Sequence, residues 1–273
     1  MLDMLGARPD PIVYFAALFP LSLAALAIGY AYAVRHSKAE GEKAEWAFGL
    51  GQAAVFALIA LILGFSFSFA AQRFEERRAL VVSEADAIGT AYLRAGFLSR
   101  ERTLQFRRLL IEYTSTRLAA YAEVADIRAE RRSMERGKDL QGLLWIMASN
   151  VARRDPRSPF YVDLTRSVIE TIDVYDRQEA ALNNHVPRPI FGIVVLSTLV
   201  GALLLGLTFG RAKAPNALLS AIFCLLFAAT VFAIFDLDHP QGGFTQVDVS
   251  PLQETLSEMT RAIGSGGSAT LPR

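Results

Sequence analysis

Four stretches of the chain contain no aspartate, glutamate, lysine or arginine. They are residues 11–34, 46–72, 189–210 and 214–235, with lengths of 24, 27, 22 and 22 residues. An α-helix that rises about 1.5 Å per residue needs about 20 apolar residues to cross a hydrocarbon core of roughly 30 Å. Runs this long and this rich in Leu, Ala, Phe and Ile predict helices rather than barrel strands. We therefore predict an all-α integral membrane protein with four transmembrane helices.

The lengths of the connections predict how the four spans are arranged. Residues 35–45 and 211–213 are too short to form domains, so each joins two spans into an antiparallel hairpin. Residues 73–188 instead hold 20 basic and 17 acidic side chains, and their apolar residues recur every three or four positions. This spacing predicts a helical soluble domain between spans two and three. The predicted division is residues 1–72, 73–188, 189–235 and a soluble tail at 236–273.

Helix boundaries in the soluble domain are predicted from capping and breaking residues. No breaker follows span two until Gly89 or Gly96, so its helix is expected to extend several turns beyond the bilayer. Ser99 is a predicted N-cap, and Gly137 is the predicted end of the helix that it starts. Pro159 suits the first turn of a later helix.

Composition and motifs exclude several classes of function. The 28 basic and 27 acidic residues nearly cancel, so no strong overall field points to nucleic acid. The three histidines lie in three different segments, and no GxSxG, HExxH or phosphate-binding glycine loop occurs. We expect neither an enzyme nor a cofactor.

Span two is rich in phenylalanine and serine at residues 64–69. Lipid contact or helix packing explains such rings in many membrane helices. Alternatively, several copies of this helix surround an axis and form a narrow apolar zone, which gates ions by dewetting. The candidate pore-lining residues, chosen for their spacing along one face, are Ala57, Leu61, Phe65 and Ser68.

Two arginines follow directly after span two. Arg73 and Arg77 lie close to Glu75 and Glu76, and one interpretation is an ordinary solvated helix surface with intrahelical pairs. The other is a basic pore mouth that concentrates anions, since each arginine would be repeated around the axis of an oligomer.

Two carboxylates mark the end of span four. Asp236 and Asp238 precede His239, and these side chains could begin a cation site. Calcium, however, takes six to eight oxygen ligands. The alternative is that the acidic residues anchor the helix end at the membrane interface.

Three segments resemble a known family. They are LGFSFSFAAQRFEERR (63–78), EADAIGTAYLR (84–94) and DLDHP (236–240), and they resemble the bacterial bestrophin-like family, with EAxAIGT as the most specific part. The resemblance implies the bestrophin arrangement: a pentameric anion channel with four spans per subunit, a helical cytosolic domain after span two, and a pore lined by span two. The sequence Leu63-Gly64-Phe65 implies Ala57, Leu61 and Phe65 as counterparts of the hydrophobic neck. The acidic run of the bestrophin calcium site is missing after Asp238, so calcium gating is not implied.

These observations lead to two hypotheses. The first is a homo-oligomer, a pentamer, that passes small anions such as chloride along an axis lined by span two. The second is a non-conducting membrane scaffold whose helical domain binds a cytosolic partner. In both, the chain is a multi-pass protein of the bacterial inner membrane in contact with lipid. The short loops hold five basic residues and the opposite face six, which does not fix the orientation. We expect a cytoplasmic soluble domain, because an arginine-rich domain is more easily retained than translocated.

Overall fold

The computed structural model describes residues 11–36, 42–122, 127–184, 186–238 and 243–264. Within these ranges the regular secondary structure is helical, which confirms the predicted all-α class. The α-helices are α1 (Pro11–His36), α2 (Glu42–Arg94), α3 (Arg100–Ala122), α4 (Ile127–Arg154), α5 (Pro159–Asn183), α6 (Arg188–Ala212), α7 (Ala217–Asp238) and α8 (Ser250–Gly264). Four of them, α1, α2, α6 and α7, are long and apolar enough to cross a membrane.

The chain forms two compact units. The first, here called the membrane unit, comprises Met1–Phe74 and His185–Thr245. The second, the helical unit, comprises Glu75–Asn184 and Gln246–Arg273. Helix α2 begins in the membrane unit and ends in the helical unit. The absence of a helix breaker before Gly89 predicts this continuous helix.

Close helix packing organises the membrane unit. Helices α1 and α6 approach at Gly29 and Gly206, where an added Cβ would collide with the backbone oxygens of Leu203 and Leu26. Glycine is therefore required at both positions, because a side chain would separate the helices. Helices α2, α6 and α7 share a buried cluster that includes Ile59, Leu63, Val194, Val231 and Ile234.

The helical unit has its own core. Its largest fully buried side chains include Phe106, Leu110, Tyr113, Leu140 and Leu144. The predicted soluble tail contains α8, and this helix belongs to the helical unit. Its residues Leu252 and Met259 are part of the core, and the Tyr92 hydroxyl donates to the Met259 carbonyl at 3.1 Å. Part of the predicted soluble tail is therefore packed into the core of the helical unit.

One helix boundary also differs from the sequence prediction. Gly137 is predicted to end a helix, but α4 runs through it to Arg154. Gly137 is buried on the same face as Leu140, Leu144 and Ala148. Burial of this apolar face outweighs the low helix propensity of one glycine. The next boundary agrees with the sequence, since α5 begins at Pro159.

Candidate functional site

The four candidate pore-lining residues lie on one exposed side of α2. Ala57, Leu61, Phe65 and Ser68 are all exposed in the chain, Leu61 at 54% and Phe65 at 58%. At about 3.6 residues per turn, positions separated by four, four and three residues fall on one side of a helix. We call these four residues the α2 stripe.

The opposite side of α2 is packed within the membrane unit. Ile59, Leu63, Ser66 and Ala70 are buried there at 7% exposure or less. Ser66 donates its hydroxyl to the Ile62 carbonyl at 2.8 Å, so this hydroxyl is satisfied within the helix. The packing fixes which way α2 faces and leaves the α2 stripe free to contact lipid, water or another copy of the chain.

The stripe is chemically simple. It offers a methyl group, an isobutyl group, a phenyl ring and one exposed hydroxyl, from Ser68. A ring of Leu61 and Phe65 side chains would form an apolar constriction that controls passage by dewetting and by radius. None of these four side chains carries a charge.

The two candidate mouth arginines have different surroundings. The Arg73 side chain is 24% exposed, and its NH1 lies 4.0 Å from Oδ1 of Asp238. Arg77 is only 2% exposed; its Nε donates to the Ala181 carbonyl at 3.1 Å, and its NH2 to the Asn184 carbonyl at 3.0 Å. Arg77 thus binds carbonyls at the C-terminal end of α5, where helix carbonyls lack intrahelical donors. This buried position is unlike the basic pore mouth that the sequence predicts for Arg77.

Asp236 holds the chain that follows α7. The residue is 4% exposed; Oδ1 accepts the Phe244 backbone N–H at 2.7 Å, and Oδ2 accepts that of Thr245 at 3.0 Å. A Cβ at Gly243 would collide with Oδ1, so the turn needs glycine there. The carboxylate therefore ties the segment after α7 back to the end of this helix.

Asp238 has a similar role. Both of its carboxylate oxygens accept the Val186 backbone N–H at 3.0 Å, and Arg73 is nearby. Among the residues that the structure describes, no group of three or more His, Cys, Asp or Glu side chains could hold a metal ion. His239, the third predicted ligand, lies outside the described residues. The contacts of Asp236 and Asp238 favour the anchoring interpretation over the metal interpretation.

We expect Asp236→Ala to lower stability without changing any dependence on calcium. The substitution leaves the backbone N–H groups of Phe244 and Thr245 without their acceptor, at a cost of about 1–3 kcal/mol. Thermal unfolding of the detergent-solubilised protein, with and without calcium, measures both effects. Asp236→Asn is the matched control, because it keeps one acceptor oxygen and should lose less. Saturable calcium binding by the wild type that disappears in both variants would contradict the anchoring role.

A buried polar network in the helical unit is the main feature that the sequence interpretation missed. Glu84 of α2 is fully buried, and its Oε1 accepts the Arg117 Nε–H at 2.6 Å and the Tyr113 hydroxyl at 3.2 Å. Arg117 also donates to the Gln178 side-chain oxygen, and Gln141 donates to the Tyr113 hydroxyl at 3.1 Å. The network therefore joins α2, α3, α4 and α5.

Two side chains of this network, Arg117 and Tyr113, have shifted pKa values. Burial alone would lower the pKa of Arg117, but the Glu84 carboxylate holds it above its ordinary value. Burial, with the Glu84 charge, raises the pKa of the Tyr113 phenol well above its ordinary value. The network therefore combines a buried ion pair with a phenol that stays neutral and acts as an additional donor.

Comparison with known proteins identifies the family. The sequence model of the Bestrophin-like domain matches residues 18–252. The chain belongs to the Bestrophin-like family. This finding confirms the resemblance inferred from residues 63–78 and 84–94. No functionally curated protein sequence matches this bestrophin-like chain.

Solved structures support the same fold. A bacterial bestrophin homologue from Klebsiella pneumoniae is similar at 17% identity and a TM-score of 0.65, covering 93% of this chain and 98% of that chain. A single-substitution variant of the Klebsiella homologue is similar at 16% identity and a TM-score of 0.67, with the same coverage of both chains. A further variant, described as a membrane protein, is similar at 16% identity and a TM-score of 0.69, again covering 93% of this chain and 98% of that chain. At these identities the bestrophin-like chain shares a fold with its neighbours, and its chemistry must be argued from its own residues.

Proposed function

We propose that the chain assembles into a ring of identical subunits, a pentamer, that passes small anions such as chloride across the membrane. The α2 stripe lines the axis of this ring, and the protein acts as a channel rather than as an enzyme. The proposal draws on the resemblance to bestrophins, which implies both the ring and the conducting role of span two.

The observation that carries the proposal is the exposure of the α2 stripe on the side of α2 opposite its packed face. Leu61 and Phe65 are more than half exposed, whereas Ile59 and Leu63, two residues earlier in each case, are buried. A surface of this kind is available to face an axis once further copies of α2 surround it. Repeating Leu61 and Phe65 around the axis produces the narrow zone that a gate needs.

An anion preference is consistent with the side chains of α2. Residues 46–72 contain no carboxylate that would repel an anion. The Ser68 hydroxyl can donate a hydrogen bond, and the edges of the Phe65 rings carry partial positive charge. The Arg77 guanidinium contributes no exposed charge, because it is buried against α5 carbonyls. Selectivity therefore depends on the α2 stripe and not on Arg77.

The remaining exposed apolar surface of the membrane unit is proposed to contact lipid. Ile28, Leu196 and Leu226 are each at least 60% exposed on α1, α6 and α7. A surface of this composition is unfavourable in water and suits the hydrocarbon core. We assign the protein to the bacterial inner membrane with the helical unit in the cytoplasm, since an arginine-rich domain is difficult to translocate.

Chloride efflux from vesicles tests the proposed function. Chloride-loaded vesicles that contain the protein should release chloride faster than protein-free vesicles, with the same ionophore added to both. A chloride electrode measures the release. Cross-linking of the protein in the same vesicles should yield no species larger than one closed ring of subunits. Chloride retention by vesicles that contain the cross-linked ring would contradict the channel and favour the scaffold hypothesis.

A further inference from the structure

A groove between α4 and α5 exposes large apolar side chains on the helical unit. It has a volume of about 310 Å³ and is lined by Trp145, Ile169, Ile172 and Asp173. Trp145 is 39% exposed and Ile169 is 40% exposed, although α4 and α5 are not among the four helices that are apolar enough to cross a membrane. Lipid contact therefore does not explain this surface, and a concave apolar surface of this kind is typical of a binding site. We call it the α5 groove.

The α5 groove carries an excess of negative charge. Residues 163–176 contain four acidic residues and one basic residue. Asp173 and Asp176 are exposed, and within the described part of the chain neither carboxylate forms an ion pair. Glu170, by contrast, is paired with Arg177 at 2.8 Å. The groove is therefore apolar at its centre and acidic at its edge.

The outer side of α3 has the opposite charge. Residues 100–108 contain four arginines and one acidic residue, Glu101. Leu104 is 38% exposed, and Arg100 and Arg108, about one turn before and after it, are exposed as well. Neither arginine has an ion pair among the residues that the structure describes. This surface, here called the α3 face, presents an apolar side chain between two cations.

The α3 face and the α5 groove lie on different sides of the helical unit. Helix α4 packs against both α3 and α5. Where α3 and α5 meet, the contact is buried, since Arg117 of α3 donates to the side-chain oxygen of Gln178 in α5. The exposed sides of α3 and α5 therefore point away from a shared core in different directions. Complementary surfaces on two sides of one subunit permit head-to-tail contacts, which close into a ring when the rotation between copies allows it.

The two surfaces also lie at one level of the unit. Helices α3 and α5 are each joined to α4 by a short connection, so they run in the same direction. Arg117 and Gln178 mark one level, and Arg108 and Ile169 each lie nine residues before them. In a ring whose helices run along its axis, neighbouring copies are related by rotation alone, so surfaces at one level meet.

We infer that the α5 groove of one subunit receives the α3 face of the next subunit, so that the helical unit supplies part of the contact that closes the ring. The inference rests on the proposed function, which requires a ring of identical subunits, and it names the surfaces that join them. A second copy is favoured over an unrelated partner because the chain itself carries the matching surface. It offers an exposed leucine for the apolar groove and unpaired arginines for the unpaired aspartates.

Cysteine cross-linking tests this pairing. A Cys224→Ala background removes the only native cysteine, and Leu104→Cys/Ile169→Cys in that background is treated in vesicles with a short bifunctional maleimide. Because the two positions belong to different surfaces, we expect a ladder of covalent oligomers that ends at the complete ring. Leu104→Cys alone and Ile169→Cys alone are the matched controls and should stay monomeric on denaturing gels, because neither position meets its own copy.

Charge reversal tests the same pairing without a cross-linker. Asp173→Arg/Asp176→Arg and Arg100→Asp/Arg108→Asp should each lose about half or more of the ring in mild detergent at low salt, because each places like charges across the contact. The variant with all four changes should recover most of the ring, which excludes misfolding as the cause of the loss.

The outcomes separate this inference from the proposed function. A wild-type ring that amine cross-linking detects, but that Leu104→Cys/Ile169→Cys does not link, would overturn the contact and leave the channel intact. Dimers from Ile169→Cys alone would also overturn it, because two grooves would then face each other, as would a fourfold charge variant that recovers no ring. A linked ring that retains chloride would support the contact and overturn the channel. A wild type that stays monomeric would overturn both proposals.

Discussion

Replacing Arg117 with methionine is expected to destabilise the helical unit by about 3–5 kcal/mol, because it leaves the Glu84 carboxylate buried without a cation. Glu84 is fully buried, and Arg117 is 4% exposed, so neither water nor another charged group compensates easily. The fluorescence of Trp145 in α4 reports on unfolding of this unit by urea, in a Trp46→Phe background that leaves Trp145 as the only tryptophan.

Two further variants make this prediction specific to the buried pair. Arg136→Met breaks the ion pair between Arg136 and Glu112, whose side chains are about half exposed, and should cause no measurable loss. Glu84→Gln combined with Arg117→Met removes both buried charges and should recover part of the loss, because the two changes act on one interaction. Equal unfolding midpoints for Arg117→Met and Arg136→Met would contradict the role assigned to the network.

Much of the membrane unit could be predicted from the sequence for a simple physical reason. Charged side chains are excluded from the bilayer core, so four long charge-free stretches specify four spans. The α2 stripe was predictable from spacing alone, because Ala57, Leu61, Phe65 and Ser68 fall on one side of any regular helix. The packed side could not be assigned from these residues, since Leu and Phe suit lipid, core and pore equally well.

The positions of Arg77 and Glu84 depended on contacts that are remote in sequence. Arg77 binds the carbonyls of Ala181 and Asn184, and Glu84 binds Arg117, so their environments follow from how α3 and α5 fold back on α2. A signal was nevertheless present. Ala70, Arg77 and Glu84 are seven residues apart, which places both charges in register with the buried side of α2. A charged residue in a buried register predicts a buried partner, not a solvated surface.

The tail and α4 show how packing overrides local signals. The amphipathic sequence of α8 predicts a helix but not the surface that covers its apolar side, which is supplied by the core containing Leu252 and Met259. Gly137 is a reasonable helix end by propensity, but the buried face of α4 continues on both sides of it. Neither outcome can be obtained from a short window of sequence, because the stabilising contacts are tertiary.

Replacing Phe65 with alanine is expected to raise the anion current by up to about tenfold, which corresponds to lowering the barrier by about 1.4 kcal/mol. The physical reason is that each subunit of the ring then contributes a methyl group instead of a phenyl ring to the narrowest apolar zone. A wider zone is hydrated more easily, and the anion retains more of its water.

The matched control is Phe67→Ala, on the same helix but on a different side. Two residues along a helix rotate a side chain by about 200°, so Phe67 does not lie on the α2 stripe although it is 43% exposed. Leu58 is a poorer control, because it lies seven residues before Phe65 and therefore faces nearly the same direction. Phe67→Ala should leave the current close to that of the wild type.

The most direct measurement is the single-channel chloride current of the wild type, Phe65→Ala and Phe67→Ala in planar bilayers of the same lipid and salt. The proposed channel predicts a measurable wild-type current, a several-fold larger current for Phe65→Ala, and no change for Phe67→Ala. Equal currents in all three proteins, or an increase for Phe67→Ala alone, would contradict a pathway lined by the α2 stripe.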